Sequence, residues 1–203
     1  MIRLPRLYAV ADAAFGDPVQ LARALFDGGA TWVQIRHKSA PSKTLIAEVD
    51  EVLKLAPQHA QIIVNDRADV ARVAGAAGVH LGQEDLPPSL ARMVLAEGQV
   101  VGFSTHNLPQ AMNADTAPVD YIAVGPVFAT STKENAGPAL GLERLGEICS
   151  QVRKPVVAIG GITLDSAREV FGCGVASVAV IGDLLKHGNV ADRTRDWVRR
   201  LEF

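Results

Sequence analysis

The sequence has few aromatic residues, only two cysteines and no long apolar run, and each shortage excludes a class of protein. Phe, Trp and Tyr together make up 5% of the 203 residues. Cys149 and Cys173 lie far apart and form no CxxC pattern, which is typical neither of a disulfide framework nor of a zinc site. We interpret both as small core residues. No apolar run approaches the roughly 18 residues that a membrane-crossing helix needs.

The charge is balanced, which excludes another class. There are 20 Lys and Arg against 22 Asp and Glu, a net charge of -2. A nucleic-acid-binding protein normally carries a basic excess on one face. The first residues, MIRLPR, lack the long apolar stretch and the cleavage site of a secretory signal. We therefore expect a cytoplasmic protein with small-molecule partners and with neither nucleic acid nor a membrane as a partner. The sequence does not indicate an oligomeric state.

Aliphatic residues are abundant, and they alternate between two patterns. Hydrophobic residues make up 48% of the chain, enough for a sizeable core. Short Val- and Ile-rich runs bounded by Gly, Pro or Asp predict strands at 6–10, 31–36, 61–65, 78–81, 99–103, 119–124, 155–159 and 176–181. Amphipathic stretches between and after them predict helices at 18–27, 42–56, 68–76, 88–97, 108–115, 141–152, 165–172 and 190–201.

Strict alternation of eight strands and eight helices predicts a parallel sheet with crossover helices. About 200 residues is the lower size limit of a (β/α)8 TIM barrel, which is the predicted fold. No linker or compositional break divides the chain, so we expect one domain over residues 1–203. A doubly wound open sheet is the alternative. The connection 125–141 is long, and such loops are usually functional or disordered.

In such a barrel, functional groups lie at the carboxyl ends of the strands. The second predicted strand runs into Gln34-Ile35-Arg36-His37-Lys38. The strand period of two places Gln34, Arg36 and Lys38 on one face, with two cations among them. A solvent-exposed strand end would carry the same residues, but the apolar run before them favours the barrel mouth.

The third and fourth strands are followed by carboxylates. Asp66 follows Asn65, and Asp85 closes the segment GQED. Sequential parallel strands are usually neighbours, so these two carboxylates could face each other. Two carboxylates beside cations suit Mg²⁺ shared with a substrate phosphate. Each aspartate could instead cap the helix that follows it.

The fifth strand leads to Ser104-Thr105-His106. His106 could shuttle a proton, although a polar loop histidine is the simpler interpretation. His80, inside the apolar segment GVHLG, is interpreted as a hydrogen-bonded core histidine rather than a metal ligand.

The remaining polar groups suit an anion. The long loop carries Thr130, Ser131, Thr132 and Lys133, whose hydroxyls and ammonium could bind phosphate or carboxylate. A solvated loop could carry the same residues. Gly160-Gly161 and Ile181-Gly182-Asp183 follow the last two strands, each just before a helix, where backbone N–H groups can hold phosphate. A tight turn alone would also require these glycines.

These residues together describe a mouth with a Mg²⁺ site, a cationic cluster and a separate phosphate site. They contain no nucleophilic triad, nucleotide P-loop or GxGxxG motif. The residues predict an enzyme acting on two phosphorylated groups, with Mg²⁺ assisting the departure of diphosphate.

Six linked motifs resemble those of the thiamine-phosphate synthase family in order and spacing, over about residues 6 to 200. They are QIRHK (34–38), NDRADVA (65–71), GVHLGQEDLP (78–87), GFSTH (102–106), DYIAVGPVFATSTK (120–133) and VVAIGGIT (156–163). The resemblance implies a (β/α)8 barrel that joins 4-amino-2-methyl-5-hydroxymethylpyrimidine diphosphate to a thiazole phosphate, releasing diphosphate. It also implies a dissociative reaction, in which diphosphate leaves before the thiazole nitrogen attacks.

The resemblance implies roles for individual residues. Gln34, Arg36, Lys38, Asn65, Ser104 and Lys133 correspond to contacts with the pyrimidine diphosphate, with Arg36, Lys38, Ser104 and Lys133 in catalytic roles. Asp66 and Asp85 correspond to the Mg²⁺ ligands. Thr130, Thr132, Gly161, Ile181 and Gly182 correspond to contacts with the thiazole phosphate, and Ser131 is also assigned to substrate binding. Gly182 stands where the family usually has serine, and His37 replaces a commoner acidic residue on the strand face opposite Arg36.

Two other functions are compatible with much of this pattern. The thiazole tautomerase branch of the same superfamily uses a histidine after the fifth strand, where this chain has His106. A catalytically silent module that binds thiazole phosphate is the other alternative. Asp66 and Asp85 favour the synthase, because neither alternative has a diphosphate to ionise.

Overall fold

Eight parallel strands close into one barrel. The computed structural model describes residues 2–130, 132, 137–186 and 188–201. The strands are β1 (Leu7–Asp12), β2 (Trp32–Arg36), β3 (Gln61–Asn65), β4 (Gly78–Leu81), β5 (Val100–Thr105), β6 (Tyr121–Val124), β7 (Val156–Ile159) and β8 (Ser177–Val180). They pair in chain order, and β1 also pairs with β8. The predicted (β/α)8 TIM barrel is confirmed, and the doubly wound open sheet is wrong because the sheet has no open edge.

Helices surround the barrel. They are α1 (Pro18–Asp27), α2 (Ser42–Leu55), α3 (Ala68–Ala74), α4 (Pro88–Val94), α5 (Leu108–Thr116), α6 (Gly141–Gln151), α7 (Ala167–Gly172), α8 (Gly182–Leu185) and α9 (Val190–Arg200). A 3₁₀ turn, η1 (Ala13–Phe15), follows β1. The sequence predicts neither η1 nor α8, because both are too short for a helical period. In the part of the chain that the structure describes, no helix is long and apolar enough to cross a membrane.

The helices begin where local chemistry favours it. Asp17 caps α1 by accepting a hydrogen bond from the backbone N–H of Gln20 at 2.9 Å. Pro18 occupies the first helical turn, where its missing N–H costs nothing. The buried residues Val19, Ala22 and Leu25 recur at helical spacing and pack α1 against the sheet.

The strands bury both faces, which gives two cores. Outward-facing residues such as Val33, Ile35 and Val79 pack beneath the helices. Inward-facing residues such as Tyr8, Trp32 and Tyr121 fill the barrel. The interior is therefore a packed core, and only the carboxyl ends of the strands are available to build a site.

Two strands extend further than predicted. β1 continues to Asp12 because this residue still pairs with Arg36 on β2. β5 continues to Thr105, which pairs with Val124 on β6. Ser104 therefore lies within a strand and not after it, because a ladder continues through polar residues as long as the neighbouring strand supplies partners.

Candidate functional site

Arg36, at the end of β2, forms an ion pair with Asp12 on the neighbouring strand β1. Arg36 Nη1 donates to Asp12 Oδ2 at 2.5 Å, and the two side chains are 12% and 2% exposed. Asp12 also accepts from the backbone N–H of Ala14 at 3.0 Å, so its carboxylate is fixed from a second side. This ion pair sets the direction of the guanidinium at the mouth.

Lys38 lies beside Asp66, across the end of β3. Its Nζ is 3.4 Å from Asp66 Oδ2, and the lysine side chain is 60% exposed. Asp66 has a backbone φ of 63°, in the left-handed region that non-glycine residues rarely adopt. Its backbone N–H donates to the carbonyl of His80 at 2.8 Å, which holds this turn against β4. Strained residues of this kind concentrate at functional sites.

The carboxyl groups of Asp66 and Asp85 are brought together. Burial, followed by the hydrogen bond and the negative charge of Asp85, raises the pKa of Asp66, while Lys38 partly opposes the shift. Asp85 Oδ2 accepts from the backbone N–H of Gly82 at 2.6 Å, which closes the turn after β4. Two adjacent carboxylates repel each other unless a proton or a cation lies between them.

The carboxylates and their neighbours suit a hard cation. Within the described ranges, no group of three or more His, Cys, Asp or Glu side chains is clustered as a metal site. Mg²⁺ commonly uses one or two carboxylates together with waters and substrate phosphates, so the pair Asp66 and Asp85 fits its donor set.

Two amides and one hydroxyl lie at the inner wall of the mouth. Gln34 and Asn65 are 6% and 8% exposed. Gln34 Nε2 donates to the Tyr8 hydroxyl at 2.8 Å. Ser104 Oγ lies 2.8 Å from His80 Nε2. His80 is hydrogen-bonded through both ring nitrogens, as predicted for a core histidine.

On the opposite side, the ends of β5 to β8 enclose a cavity of about 280 Å³. Its lining includes three hydroxyl side chains and four residues of the turns after β7 and β8, namely Ser104, Thr130, Thr132, Gly160, Gly161, Ile181 and Gly182. Gly161 has a φ of 65°, and a Cβ there would lie 2.7 Å from the carbonyl oxygen of Ala129. Only glycine fits this position, so backbone faces the cavity.

Thr130 and Thr132 are arranged by a local contact. The backbone N–H of Thr132 donates to Thr130 Oγ1 at 3.2 Å. A Cβ on Gly182 would lie 3.2 Å from Thr132 Oγ1, so this glycine lies next to the threonine loop. Ser131 and Lys133, which the sequence also assigned to the site, lie outside the described residues.

Asp183 also borders the cavity, but its carboxylate has other partners. It accepts from Trp197 Nε1 at 2.7 Å and from Arg193 Nη2 at 2.9 Å. These bonds fasten α8 to α9. The negative charge next to the proposed phosphate site is therefore neutralised by Arg193.

His106 lines the same cavity. Its Nδ1 donates to the carbonyl of Gly125 at 2.7 Å. In a neutral ring this leaves Nε2 as a hydrogen-bond acceptor.

Three residues in or beneath the mouth are not among the site residues predicted from the sequence. Asp12 lies two residues after the first predicted strand, 6–10, and the strand period of two places it on the same face as Tyr8. Tyr121 could have been found as a phenol in an otherwise aliphatic buried strand, which normally needs a polar partner. Lys186, which lines the cavity, lies four residues after Gly182 and hence one helical turn away.

The chain is similar to known proteins in both sequence and fold. A family model described as thiamine monophosphate synthase matches residues 7–184. A thiamine-phosphate synthase of Koribacter versatilis is 45% identical over 191 residues, covering 91% of this chain and 90% of that protein. One from Chlorobium phaeovibrioides is 38% identical over 199 residues, covering 98% and 95%. The solved structure of a thiamine phosphate pyrophosphorylase from Pyrococcus furiosus superposes with a TM-score of 0.90 at 36% identity, covering 97% of this chain and 95% of that one.

Proposed function

Because the chain belongs to the thiamine monophosphate synthase family, we propose that it is a transferase that makes thiamine phosphate. Its substrates are 4-amino-2-methyl-5-hydroxymethylpyrimidine diphosphate and a thiazole phosphate. The bond between the pyrimidine methylene carbon and the diphosphate oxygen breaks, and diphosphate leaves with the electron pair. The thiazole nitrogen then donates its lone pair to the methylene carbon.

The observation that carries this proposal is the division of the mouth into two unlike halves. The ends of β2 to β4 hold cations and carboxylates, as the Lys38–Asp66 contact illustrates. The ends of β5 to β8 form a cavity whose lining includes glycines and hydroxyl side chains, with Gly161 at its wall. One half suits a leaving diphosphate, and the other suits a phosphate that is bound but not transferred.

On the diphosphate side, the proposal assigns charge neutralisation to Arg36 and Lys38. Arg36 is pre-oriented by Asp12, so less freedom is lost when it binds an anionic oxygen. Lys38 is largely exposed and can move from Asp66 to the substrate. Gln34 and Asn65 contact the pyrimidine.

Ser104 contacts the diphosphate substrate in this proposal. Lys133 keeps the same role as a proposal from the sequence. Fixed donors stabilise the charge that develops on the departing group, and this step needs no general base.

Mg²⁺ is the proposed cofactor, held by Asp66 and Asp85. The raised pKa of Asp66 reflects burial and the adjacent Asp85 carboxyl, and a cation would relieve this repulsion. When bound, Mg²⁺ would supply positive charge to diphosphate oxygens. Lys38 would then be released from Asp66 and could turn to the substrate.

On the thiazole side, the proposal assigns the phosphate to the turn of Ile181 and Gly182 at the start of α8. Gly161 adds backbone, and Thr130 with Thr132 adds hydroxyls. Ser131 stays a substrate contact as a proposal from the sequence. Gly182 keeps the backbone donor but lacks the serine hydroxyl that the family usually has here.

One observation favours a second candidate, a thiazole tautomerase. His106 lines the cavity and holds Nδ1–H on Gly125, so its Nε2 could accept a proton from a bound thiazole. This activity would require neither Mg²⁺ nor the pyrimidine diphosphate.

The decisive experiment is an assay with both substrates, with and without Mg²⁺, in which product is converted to fluorescent thiochrome. We expect Mg²⁺-dependent product. Lys38→Met should slow turnover, whereas Lys43→Met, an exposed lysine on α2, should not. Thiazole phosphate binding without product would reject the synthase. Conversion between thiazole tautomers would then identify the second candidate, and its absence would leave the silent binding module.

We also propose that residues 1–203 form one domain that works in the cytoplasm. Cys149 and Cys173 are both free thiols, which suits a reducing compartment. Burial raises the pKa of Cys149 to about 11, so this thiol is a poor nucleophile near neutral pH.

A further inference from the structure

A chain of hydrogen bonds crosses the interior of the barrel beneath the mouth. Gln34 Nε2 donates to the Tyr8 hydroxyl at 2.8 Å, and Tyr8 lies 3.0 Å from the Tyr121 hydroxyl. Tyr121 lies 2.9 Å from His80 Nδ1, and His80 Nε2 lies 2.8 Å from Ser104 Oγ. We refer to these five side chains as the interior chain. Its two ends, Gln34 and Ser104, are both proposed substrate contacts.

The fold makes room for this chain. A Cβ on Gly102 would lie 2.0 Å from Tyr121 Cζ, so the phenol occupies space that only a glycine on β5 leaves open. The His80 and Tyr121 rings stack with centroids 5.7 Å apart. Tyr8 and Tyr121 are 1% and 0% exposed. The middle of the chain is therefore held in place and shielded from water.

The middle members remain hydrogen-bond donors at neutral pH. Burial raises the pKa of Tyr8 to about 12. Burial, reinforced by Tyr8, raises the pKa of Tyr121 well above its usual value. Each phenol thus keeps its single hydrogen, and a neutral imidazole carries one N–H.

With a neutral His80 ring, only two orderings give every contact one hydrogen and also leave neither buried phenol hydrogen without an acceptor. In the first, Gln34 donates to Tyr8, Tyr8 to Tyr121, Tyr121 to His80 Nδ1, and His80 Nε2–H to Ser104. The Ser104 hydrogen is then free for a ligand. In the second, every bond is reversed: Ser104 donates to His80, and Tyr8 donates to the amide oxygen of Gln34. The structure has the first ordering at Gln34.

We propose that the interior chain sets the amide orientation of Gln34 and the hydroxyl orientation of Ser104 together, with Tyr8, Tyr121 and His80 as positioning residues. In the first ordering Gln34 presents its oxygen to the mouth while Ser104 has a hydrogen to donate. In the second ordering Gln34 presents its NH₂ group while the Ser104 hydrogen is committed to His80.

This inference rests on the proposed function and adds a specificity rule to it. A substrate that carries both an amino group and an anionic diphosphate is matched by the first ordering at both ends. A pyrimidine that presents a carbonyl in place of the amino group selects the second ordering and loses the Ser104 hydrogen bond. The two halves of the substrate are thus recognised as one unit.

The test determines which imidazole nitrogen of His80 carries the proton in free protein labelled with ¹⁵N-histidine, with the signal assigned through a His80→Asn variant. In the unsubstituted protein we expect the proton on Nε2. Gln34→Glu replaces the amide with an ionised carboxylate that only accepts, so Tyr8 must donate to it. The proton of His80 should then move to Nδ1, two tyrosines away.

Two controls distinguish an effect transmitted through the interior chain from a general electrostatic effect of the added charge. Asn65→Asp introduces the same charge at the mouth, on a residue that pairs directly with His80 in the sheet. It should leave the proton on Nε2. Gln34→Glu combined with Tyr121→Phe should also leave it there, because the chain is cut. An unmoved proton in Gln34→Glu alone, or a moved proton in either control, would overturn the proposal.

A binding measurement covers the case in which Gln34→Glu does not fold. Tyr121→Phe should weaken binding of the pyrimidine diphosphate about threefold to tenfold, the effect of one hydrogen bond. Ser104→Ala should cost less affinity in the Tyr121→Phe background than in the unsubstituted protein. Ile63→Val, at a buried interior residue whose side chain forms no hydrogen bond, should leave both affinities unchanged. Equal costs of Ser104→Ala in both backgrounds would refute the coupling. Because the proton position is read without substrate, failure of the coupling is distinguishable from failure of the synthase proposal.

Discussion

The carboxylate of Asp12 holds the guanidinium of Arg36 at 2.5 Å, joining the ends of two neighbouring strands at the barrel mouth. Asp12 is 2% exposed, so the pair is poorly screened by solvent. Arg36 would otherwise lose side-chain freedom on binding diphosphate. Asp12 thus fixes the direction of the Arg36 guanidinium in advance, and its negative charge offsets the positive charge of Arg36.

Asp12→Asn should impair the diphosphate side of the reaction. The amide oxygen can still accept from Ala14, but the ion pair that directs Arg36 is lost. We expect the KM for the pyrimidine diphosphate to rise about tenfold, with that for thiazole phosphate unchanged. Steady-state kinetics with each substrate varied in turn measures this split. Asp17→Asn, at the exposed N-cap of α1, is the matched control, because Asp17 also accepts a backbone hydrogen bond but forms no ion pair with Arg36. An equal rise in KM in Asp17→Asn would show that Asp12 matters only as a cap.

Asp66→Asn should stabilise the metal-free protein. The folded-state pKa of Asp66 is raised above 3.8, so the metal-free fold loses stability as the pH rises from 3.8 through the folded-state pKa. Asparagine removes the charge and also tolerates the φ of 63°. The Tm at pH 7 without Mg²⁺ should therefore increase.

The same variant should lose its response to Mg²⁺. At ten times its dissociation constant, Mg²⁺ should raise the Tm of the unsubstituted protein by about 3 to 6 °C. Asp66→Asn should show no such rise. Asp69→Asn, an exposed aspartate paired with Arg67, should keep it. Equal Mg²⁺ stabilisation of all three proteins would remove Asp66 from the metal site.

Gly161→Ala should damage the cavity more than its backbone conformation alone explains. Gly161 and Gly75 have φ values of 65° and 70°, but a Cβ on Gly75 meets nothing within 4 Å. Gly75→Ala should cost about 1 kcal/mol of stability. Gly161→Ala should cost more, and should raise the KM for thiazole phosphate about tenfold because the Ala129 backbone must shift. Thermal unfolding and steady-state kinetics of the two variants test this. Equal losses of stability and equal KM values for thiazole phosphate would contradict the prediction.

Arg193→Met should destabilise the protein by leaving Asp183 without its ion pair. Asp183 is 9% exposed and depends on Arg193 and Trp197 for its hydrogen bonds. Breaking a buried pair from one side costs about 3 kcal/mol, or about 6 to 12 °C in Tm for a chain of this size. Arg195→Met, on the same helix but in an exposed pair with Asp192, should change the Tm little. Calorimetry of both variants tests the difference.

The fold was predictable because its elements follow local patterns, but part of the site was not. Alternating apolar runs and amphipathic stretches can be recognised within short segments of the sequence. For example, α1 begins and ends at the predicted positions, 18–27. The contact between Asp12 and Arg36 depends on strand register. The contact of Tyr8 with Tyr121 joins strands across the barrel. Neither is a property of a short segment, so the sequence offered candidates on single strands without the bonds between them.

Gly182→Ser should be tolerated, although glycine lies at the proposed phosphate turn. No left-handed φ requires glycine at this position, and the nearest atoms to an added Cβ are Thr132 Oγ1 at 3.2 Å and Lys186 Cε at 3.5 Å. Both are ends of side chains that can move, so the Tm should stay within about 2 °C. The hydroxyl adds a donor beside the backbone N–H groups at the start of α8, so the KM for thiazole phosphate should be unchanged or lower. Gly182→Ala adds the same Cβ without the hydroxyl and should show no gain. A rise in KM shared by both variants would mean that this turn needs glycine for space, and that Lys186 and Thr132 are packed more tightly in the bound state than in the free protein.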